Sequence, residues 1–402
     1  MSVPSDAVVL AGGEGSRLRP LTKYRPKPLL PVANRPVIEY VLEALEAAGV
    51  ERVVVVVGYR GTRIQDYLSD GWGGLELDFI RQRSQLGSGH ALLQAAGSVD
   101  EPFLVVNGDT VIDEQVIRRT GAHFFDAPGA AGAAAIARSP RPEQYGAVTV
   151  DDGCVTEVVE HPNEAVSYLV NAGVYVFNES VFAALASTDR RGGELYLTDA
   201  LVNLPGPVVA ADAKGVWLDP STLPDLLSVT DQMLTMHRDL LNGMTKSDGY
   251  PDGVLVAESA ACHESSVINS PAVVGPDCRI GPGAVVGGGA CLGENVHVGA
   301  NAVLDRSLID SDTRVSAGAI LRECVIGAGA SIGAGVVAPG GAPETVDGDV
   351  DPDRRLGAVV ADRAEVGANA TLSAGALLGP QSAVAEGATV SRTVAEGAEV
   401  VR

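Results

Sequence analysis

Asp6-Ala7-Val8-Val9-Leu10-Ala11-Gly12-Gly13-Glu14-Gly15-Ser16-Arg17-Leu18 begins as an apolar run and ends in a glycine-rich turn. The run Ala7 to Leu10 reads as a buried strand, and the glycines after it mark the point where the chain bends into the next element. Glycines in such a bend let main-chain N–H groups come close to an anion, and Arg17 adds a fixed positive charge beside them. By itself the pattern fits a purely structural turn as well as it fits a phosphate site.

Working outward, apolar runs alternate with helical patterns as far as about Met244. Helices are expected over Arg35 to Ala48 and Gly89 to Ala96, and strands over Arg52 to Val57 and Pro102 to Val106. A long amphipathic helix is expected from Thr222 to Leu241. The strands are apolar on both faces, so a parallel or mixed sheet covered by helices on each side is implied: an α/β domain over residues 1–244. Residues 245–266 mix Gly, Pro and charge and read as a linker.

From residue 267 to 402 the period changes. Aliphatic residues recur every six positions at Val274, Ile280, Val286, Leu292, Val298 and Leu304, and again at Ile309, Val315 and Leu321, then Ile326 and Ile332. They resume at Val360, Val366, Leu372, Leu378, Val384 and Val390. Small residues such as Ala284, Ala290 and Ala302 stand two positions earlier. A fixed interval with tiny side chains at the corners describes a solenoid of short parallel strands, and at three hexads per coil it supplies roughly six coils. The pattern resembles the hexapeptide repeat of left-handed β-helices, which implies that fold here. The interruption at about 339–356 reads as a loop leaving the coil.

The chain of 402 residues carries a formal charge of −22, from 51 acidic against 29 basic residues, of which only Lys23, Lys27, Lys214 and Lys246 are lysines. That field repels phosphate backbones, so nucleic acid is excluded as a partner and any polyphosphate ligand needs a local cation or metal. The acidic, lysine-poor composition fits a salt-rich cytoplasm, and a high genomic GC content is the alternative source of the Arg-over-Lys bias. No apolar stretch is long enough for a membrane span and no secretory leader is visible, so a cytoplasmic protein without a membrane partner is expected. Five cysteines without a CxxC pair indicate neither a zinc site nor a disulfide framework, and buried thiols are expected.

A few residues after the first turn stands Pro26-Lys27-Pro28-Leu29-Leu30-Pro31-Val32. Together, Gly12-Gly13-Glu14-Gly15-Ser16-Arg17-Leu18-Arg19-Pro20-Leu21-Thr22 and this segment resemble the GGxGxRLxPLT and PKPLLPV signature of sugar-1-phosphate nucleotidyltransferases. The resemblance implies that Leu10, Ala11, Gly12 and Gly13 line the nucleotide. It also implies that Arg17 and Lys27 are the catalytic cations, in contact with the triphosphate and the reacting α-phosphate. Gln82 to Ala91 resembles the QxxxxG(T/S)xHA stretch of N-acetylglucosamine-1-phosphate uridylyltransferases, which gives Gln82, Gly87 and Ser88 to the base. His90 reads as a packing residue at a helix start.

Asp109 in Val105-Val106-Asn107-Gly108-Asp109 resembles the family's metal-binding aspartate, and Asp219 in Gly215-Val216-Trp217-Leu218-Asp219 resembles its GxWxD partner. Two carboxylates with phosphate oxygens suit Mg²⁺. A helix N-cap is the alternative reading of Asp219, which precedes Ser221 and Thr222. Gly146, Glu160 and Asn171 correspond to sugar-binding positions, and His161 resembles the uridylyltransferase variant of the pattern that follows Glu160. The implied substrates are a nucleoside triphosphate, UTP or dTTP, and a sugar-1-phosphate such as N-acetylglucosamine-1-phosphate or glucose-1-phosphate.

The whole layout resembles the archaeal bifunctional uridylyltransferase/acetyltransferases, whose β-helix needs a histidine base with lysine, tyrosine and asparagine neighbours. Here no histidine follows His297, no lysine follows Lys246 and no tyrosine follows Tyr250. Val336-Val337-Ala338-Pro339-Gly340-Gly341 stands where the relatives carry an asparagine-rich stretch, although Asp353-Arg354-Arg355-Leu356 still resembles the segment after the loop. The expectation is an assembly domain, homotrimeric by analogy with hexapeptide proteins, that has lost acetyl transfer. A bifunctional enzyme and a non-catalytic regulatory subunit are the alternatives.

Overall fold

The computed structural model describes residues 2–160, 167–237, 240–241, 249–341, 344–346, 349–351 and 354–401. Contacts divide the chain into two compact units. The first comprises Met1–Glu14, Arg25–Leu29 and Val37–Asp219, and the second Gly15–Tyr24, Leu30–Pro36 and Pro220–Arg402. The expected division at residue 244 therefore differs from the observed one. Two short N-terminal segments belong with the C-terminal half.

The first unit is built on a nine-stranded mixed sheet. Its order is Glu76–Arg81, Arg52–Val57, Asp6–Ala11, Phe103–Asn107, Leu169–Phe177, Gly132–Arg138, Val208–Asp212, Cys154–Glu160 and Gly146–Asp151. The first four strands are mutually parallel, and Leu169–Phe177 runs antiparallel to its neighbours on both sides. Side chains alternate between faces. Val53, Val55 and Val57 enter one core with Ile38, Val41 and Leu45 of helix Val37–Ala48, whereas Val54 and Val56 enter the other with Leu92, Val181 and Leu185. Burial on both faces is why these strands read as unbroken apolar runs rather than alternating ones.

The parallel strand Asp6–Ala11 has Arg52–Val57 on one side and Phe103–Asn107 on the other. This reversal of strand order opens a crevice beyond the carboxyl ends of the strands, where open α/β sheets bind ligands. Gly12, Gln82 and Gly108 all lie just past such ends.

The helix expected from Arg35 begins at Val37. Pro31–Val32 and Arg35–Pro36 pair instead as a tight hairpin whose turn residues Ala33 and Asn34 have φ of 48° and 66°. The helix expected from Gly89 spans Ser88–Gln94, and the long C-terminal one is Leu223–Met236. A reciprocal capping box of Thr222 and Asp225 fixes its start, with Asp225 Oδ2 accepting from the Thr222 N–H at 3.0 Å and from its hydroxyl at 2.6 Å. Such a cap adds about 1 kcal/mol.

The second unit is a parallel β-helix of three sheets with seven, eight and seven strands. Its first strand, Val254–Val256, lies inside the stretch expected as linker, so there is about one more coil than the repeat count supplied. The hexad aliphatics point inward: Ile280, Val298, Leu321 and Leu372 are all 3% exposed or less. Cys278 and Cys324 are buried among them, Cys291 is buried on the opposite side of its strand from Ala290 and Leu292, and Cys154 and Cys262 are only half-buried. Burial pushes the Cys278 thiol up to about 11, so it packs as a small apolar group. The coil closes over the interruption, since Val325–Ile326 pairs directly with Val359 and Val360. Within the interruption Glu344–Val346 and Asp349–Asp351 form a hairpin. Arg354, 4% exposed, then places its Nε 3.3 Å from Asp225 Oδ1 and donates from Nη2 to Thr222 Oγ1 at 2.7 Å, tying the chain after the loop to the capping box. Its neighbour Asp353 lies outside the described residues.

The N-terminal segments of this unit are held by the C-terminal chain. Lys23 Nζ is 3.1 Å from Glu396 Oε2, Arg35 Nη1 donates to the Leu240 carbonyl at 2.6 Å, and Asn34 Nδ2 donates to the carbonyl of Leu292.

Candidate active site

The carboxylates expected to share a metal come from loci 110 residues apart in sequence, and one short pairing explains their meeting. Val111–Ile112 follows Asp109 almost directly and pairs antiparallel with Trp217–Leu218, in the register Trp217 to Ile112 and Leu218 to Val111. That register carries Asp219 past the end of the pair toward Asp109. Gly108 lets the turn lie flat on the first strand: its N–H donates to the Leu10 carbonyl at 2.9 Å, and a Cβ there would stand 2.9 Å from Val9 Cγ1.

Lys27 completes the cluster. Its Nζ lies 3.0 Å from Asp109 Oδ2 and 2.8 Å from Asp219 Oδ1, with 9% of the side chain exposed against 35% and 11% for the carboxylates. Burial works against the ammonium, but the charges and hydrogen bonds of Asp109 and Asp219 outweigh it and push the lysine above its ordinary range. Lys27 is therefore a fixed cation. The chain presents one buried positive charge held by two negative ones, a geometry that would draw a phosphate toward the lysine once the carboxylates engage another cation.

Among the described residues no three His, Cys, Asp or Glu side chains gather in a way that could hold a metal. Asp109 and Asp219 nevertheless offer the hard oxygen donors that Mg²⁺ takes, and that ion ordinarily completes its shell with phosphate oxygens and water. The donor set fits Mg²⁺ with Lys27 as competitor.

At the other end of the crevice Gln82 is buried, 3% exposed. Its amide nitrogen donates to the Gly87 carbonyl at 3.1 Å and to His90 Nδ1 at 3.0 Å, so both amide hydrogens are taken. Burial, and then Arg190, hold the His90 imidazole below its ordinary range, which keeps it a neutral acceptor. Its place is thus to orient Gln82. The Gln82 Oε1 faces Gly12, where a Cβ would come within 2.5 Å of it. Gly12 itself anchors the turn by accepting from the Tyr59 N–H at 3.1 Å. Gly87, at φ 95°, stands against the Leu195 backbone, where a Cβ would sit 2.3 Å from the carbonyl oxygen. Ser88 Oγ accepts from the Leu197 N–H at 3.0 Å, which makes Ser88 a brace of that loop.

The positions assigned to the sugar form a third group. Glu160 Oε1 accepts from Thr198 Oγ1 at 2.7 Å and lies 3.1 Å from where a Cβ of Gly146 would be. Asn171 Oδ1 accepts from the Tyr175 hydroxyl at 2.8 Å and from the Gly173 N–H at 3.1 Å. Burial pushes the Tyr175 phenol well above its ordinary range, against the opposing effect of the Asn171 hydrogen bond, so it stays protonated and donates. Trp217 Nε1 donates to the Ala172 carbonyl at 2.9 Å, and its ring packs on Tyr145 with centroids 5.4 Å apart. That bond ties the strand Trp217–Leu218, which leads into Asp219, to the strand that carries Asn171.

The nucleotidyl transferase family pattern matches residues 6–236, more than half of the chain. The chain belongs to the sugar-1-phosphate nucleotidyltransferase family. The enzyme is 31% identical to the bifunctional protein GlmU of Methanococcus maripaludis over 97% of its own length and 95% of the relative's. It is 36% identical to a low-salt glycan biosynthesis nucleotidyltransferase of Haloferax volcanii, over 63% of this chain and 73% of that one. Residues 268–349 also match the family described as the GMPPB C-terminal domain. A solved UDP-glucose pyrophosphorylase in complex with UDP-glucose shares the fold, with a TM-score of 0.51, 24% identity, and coverage of 57% of this chain and 97% of that one.

Arg17 lies exposed on the short helical turn Ser16–Leu18 of the second unit, where Thr22 Oγ1 donates to the Gly15 carbonyl at 2.8 Å. His161 lies outside the described residues. Thr198, Tyr175 and His90 support the site without having been expected to. His90 carried a sequence signal, its place in the Gln82 to Ala91 stretch; Thr198 is 38 residues from Glu160 and lies in none of the stretches singled out above.

Proposed function

We propose that this sugar-1-phosphate nucleotidyltransferase uses UTP, with N-acetylglucosamine-1-phosphate or glucose-1-phosphate, and releases pyrophosphate and a UDP-sugar. The observation that supports the nucleotide is the state of Gln82. Both of its amide hydrogens are taken by Gly87 and His90, and its Oε1 accepts from no described residue. An acceptor fixed in this way pairs with the imide N–H of uracil or thymine and repels the bare ring nitrogen that cytosine presents there. The Gly87 carbonyl holds Gln82, and the Gly12 backbone leaves room for the base. Thymine offers the same imide, so dTTP is the second nucleotide.

In the reaction an oxygen of the sugar phosphate attacks the α-phosphorus in line. The P–O bond to the β-phosphate breaks, and its electron pair leaves with pyrophosphate. Lys27 places a permanent ammonium where charge builds on the α-phosphate, and Arg17 keeps the triphosphate role its motif gives it. Glu160, oriented by Thr198, and Asn171, oriented by Tyr175, hold the sugar hydroxyls so that the attacking oxygen is aligned. When bound, Mg²⁺ would be held by Asp109 and Asp219 and would neutralise phosphate charge. No side chain has to take a covalent bond.

The β-helix serves assembly, as a homotrimer, and acetyl transfer is absent. His297 is the last histidine of the chain, and no described carboxylate bonds to it as a general base's partner would. Turnover assays with UTP, dTTP, CTP and GTP against both sugar phosphates test the nucleotide assignment, and a preference for CTP or GTP would refute it. Acetyl transfer from acetyl-CoA to glucosamine-1-phosphate by the purified protein would refute the assignment of the tail, and its survival in His297→Ala would show that the base lies elsewhere.

A further inference from the structure

We propose that one outer face of the β-helix carries a phosphoanion site, formed by Arg279, His297 and Arg314, that takes the diphosphate group of a small molecule. The three residues occupy equivalent places on consecutive strands, with Arg279 paired to His297 and His297 paired to Arg314 in parallel register. Their neighbours Ile280, Val298 and Val315 fill the coil interior at 2–3% exposure, so the period-two alternation turns all three basic side chains outward. Strands in a sheet lie about 4.8 Å apart, so the ladder spans roughly 10 Å.

A cavity of about 340 Å³ lies over this ladder, lined also by Gly281, Gly299 and Ser316. The corner glycines keep one flank bare, since a Cβ at Gly299 would come 2.5 Å from the Ala317 nitrogen of the next coil. The register continues into Ala261 on one side and Ser331 on the other, so no carboxylate stands next in line. Arg314 Nη1 donates to the Asn295 carbonyl at 2.9 Å, which aims the guanidinium and leaves its other donors. The side chains of Arg279 and His297 bond to no described residue.

Stacked like charges oppose one another across strands, and in a chain of net charge −22 two arginines on one ladder, with a histidine between them and no ion-pair partner among the described residues, are an anomaly that an anion removes. Burial and the two arginines disfavour a proton on His297, consistent with an incomplete cationic site. Arginine forks bind phosphate oxygens in pairs. A single phosphate reaches one of the two arginines, whereas a diphosphate bridges both with His297 between them. The shared chemistry is a diphosphate, and its sources are free pyrophosphate, a nucleoside triphosphate, or coenzyme A.

Calorimetric titration of full-length protein with pyrophosphate, UTP and coenzyme A, in parallel with an Arg279→Ala/Arg314→Ala double variant, tests this. Metal-free buffer is used, and binding at the nucleotidyl transfer site is common to both proteins and cancels. At least one probe should show a class of sites in the wild type that weakens tenfold or more in the double variant and is partly kept in Arg279→Lys/Arg314→Lys. Turnover of UTP should be unchanged, because the substituted side chains lie outside the core. The probe bound most tightly identifies the source. Superimposable isotherms for all three probes would overturn the proposal. So would a changed oligomeric mass of the double variant without loss of binding, which would make the face a contact between copies.

Discussion

Replacing Lys27 by Met removes the ammonium between Asp109 and Asp219 while keeping most of its apolar stem. The two contacts, 3.0 and 2.8 Å, are each worth roughly 5–6 kcal/mol of Coulomb attraction at an effective dielectric of ~20, before desolvation is subtracted. Breaking a buried pair by removing one partner costs about 3–5 kcal/mol. Asp109 is 35% exposed and partly screened by water, so the lower end, about 3 kcal/mol, applies to folding of the first unit. The catalytic loss is separate. Removing one preorganised charge stabiliser costs about 10²–10³-fold in turnover, and pyrophosphate release under saturating UTP and sugar phosphate measures it. Denaturation in urea, with EDTA and then with Mg²⁺, reads the stability effect. The two carboxylates freed of their lysine should bind the cation more tightly than in the wild type, so Mg²⁺ should recover part of the lost stability. Turnover within threefold of wild type would refute the role of Lys27. A stability loss that Mg²⁺ leaves untouched would refute the pairing of the two carboxylates as a metal site.

Gln82→Ala should lose discrimination between UTP and the purine triphosphates by about 1–3 kcal/mol, roughly 5- to 150-fold, read from ratios of kcat/KM. Gly12→Ala should misplace the same amide without touching it, because a Cβ 2.5 Å from Oε1 forces a shift of nearly an ångström, and an effect on UTP of tenfold or more is expected. Thr198→Val leaves Glu160 one hydrogen bond short, so KM for the sugar phosphate should rise several-fold while KM for UTP stays fixed. Truncation after His237 should lower both turnover and folding yield, since Lys23, Asn34 and Arg35 lose Glu396, Leu292 and Leu240; a truncated protein with full activity would show that these anchors are dispensable.

The positions of Lys27, Asp109 and Asp219 were legible because each stands in a contiguous motif whose spacing is local. The hexads were legible for a similar reason: a coil repeats its interior at a fixed interval, so Ile280, Val298 and Leu372 announce themselves without a partner in sequence. Even the interruption at about 339–356 was visible, since its residues break the interval.

What the sequence could not say concerned pairs of residues far apart. The salt bridges of Lys27 to both aspartates depend on the register of Val111–Ile112 with Trp217–Leu218, a two-residue pairing with no pattern of its own. The partition that places Gly15–Tyr24 and Leu30–Pro36 with the β-helix follows from contacts such as Arg35 with Leu240, which join loops rather than periodic elements. The first coil, from Val254, reads as linker although Val256, Cys262 and Ile268 already keep the six-residue interval that leads to Val274, because the charged and small residues between them look like a loop until the next coil is seen paired to it. Local sequence fixes which side chain faces inward on a strand or helix. Which elements then share a neighbour is decided by non-local packing, and it was packing that turned separate motifs into one lysine held between two carboxylates.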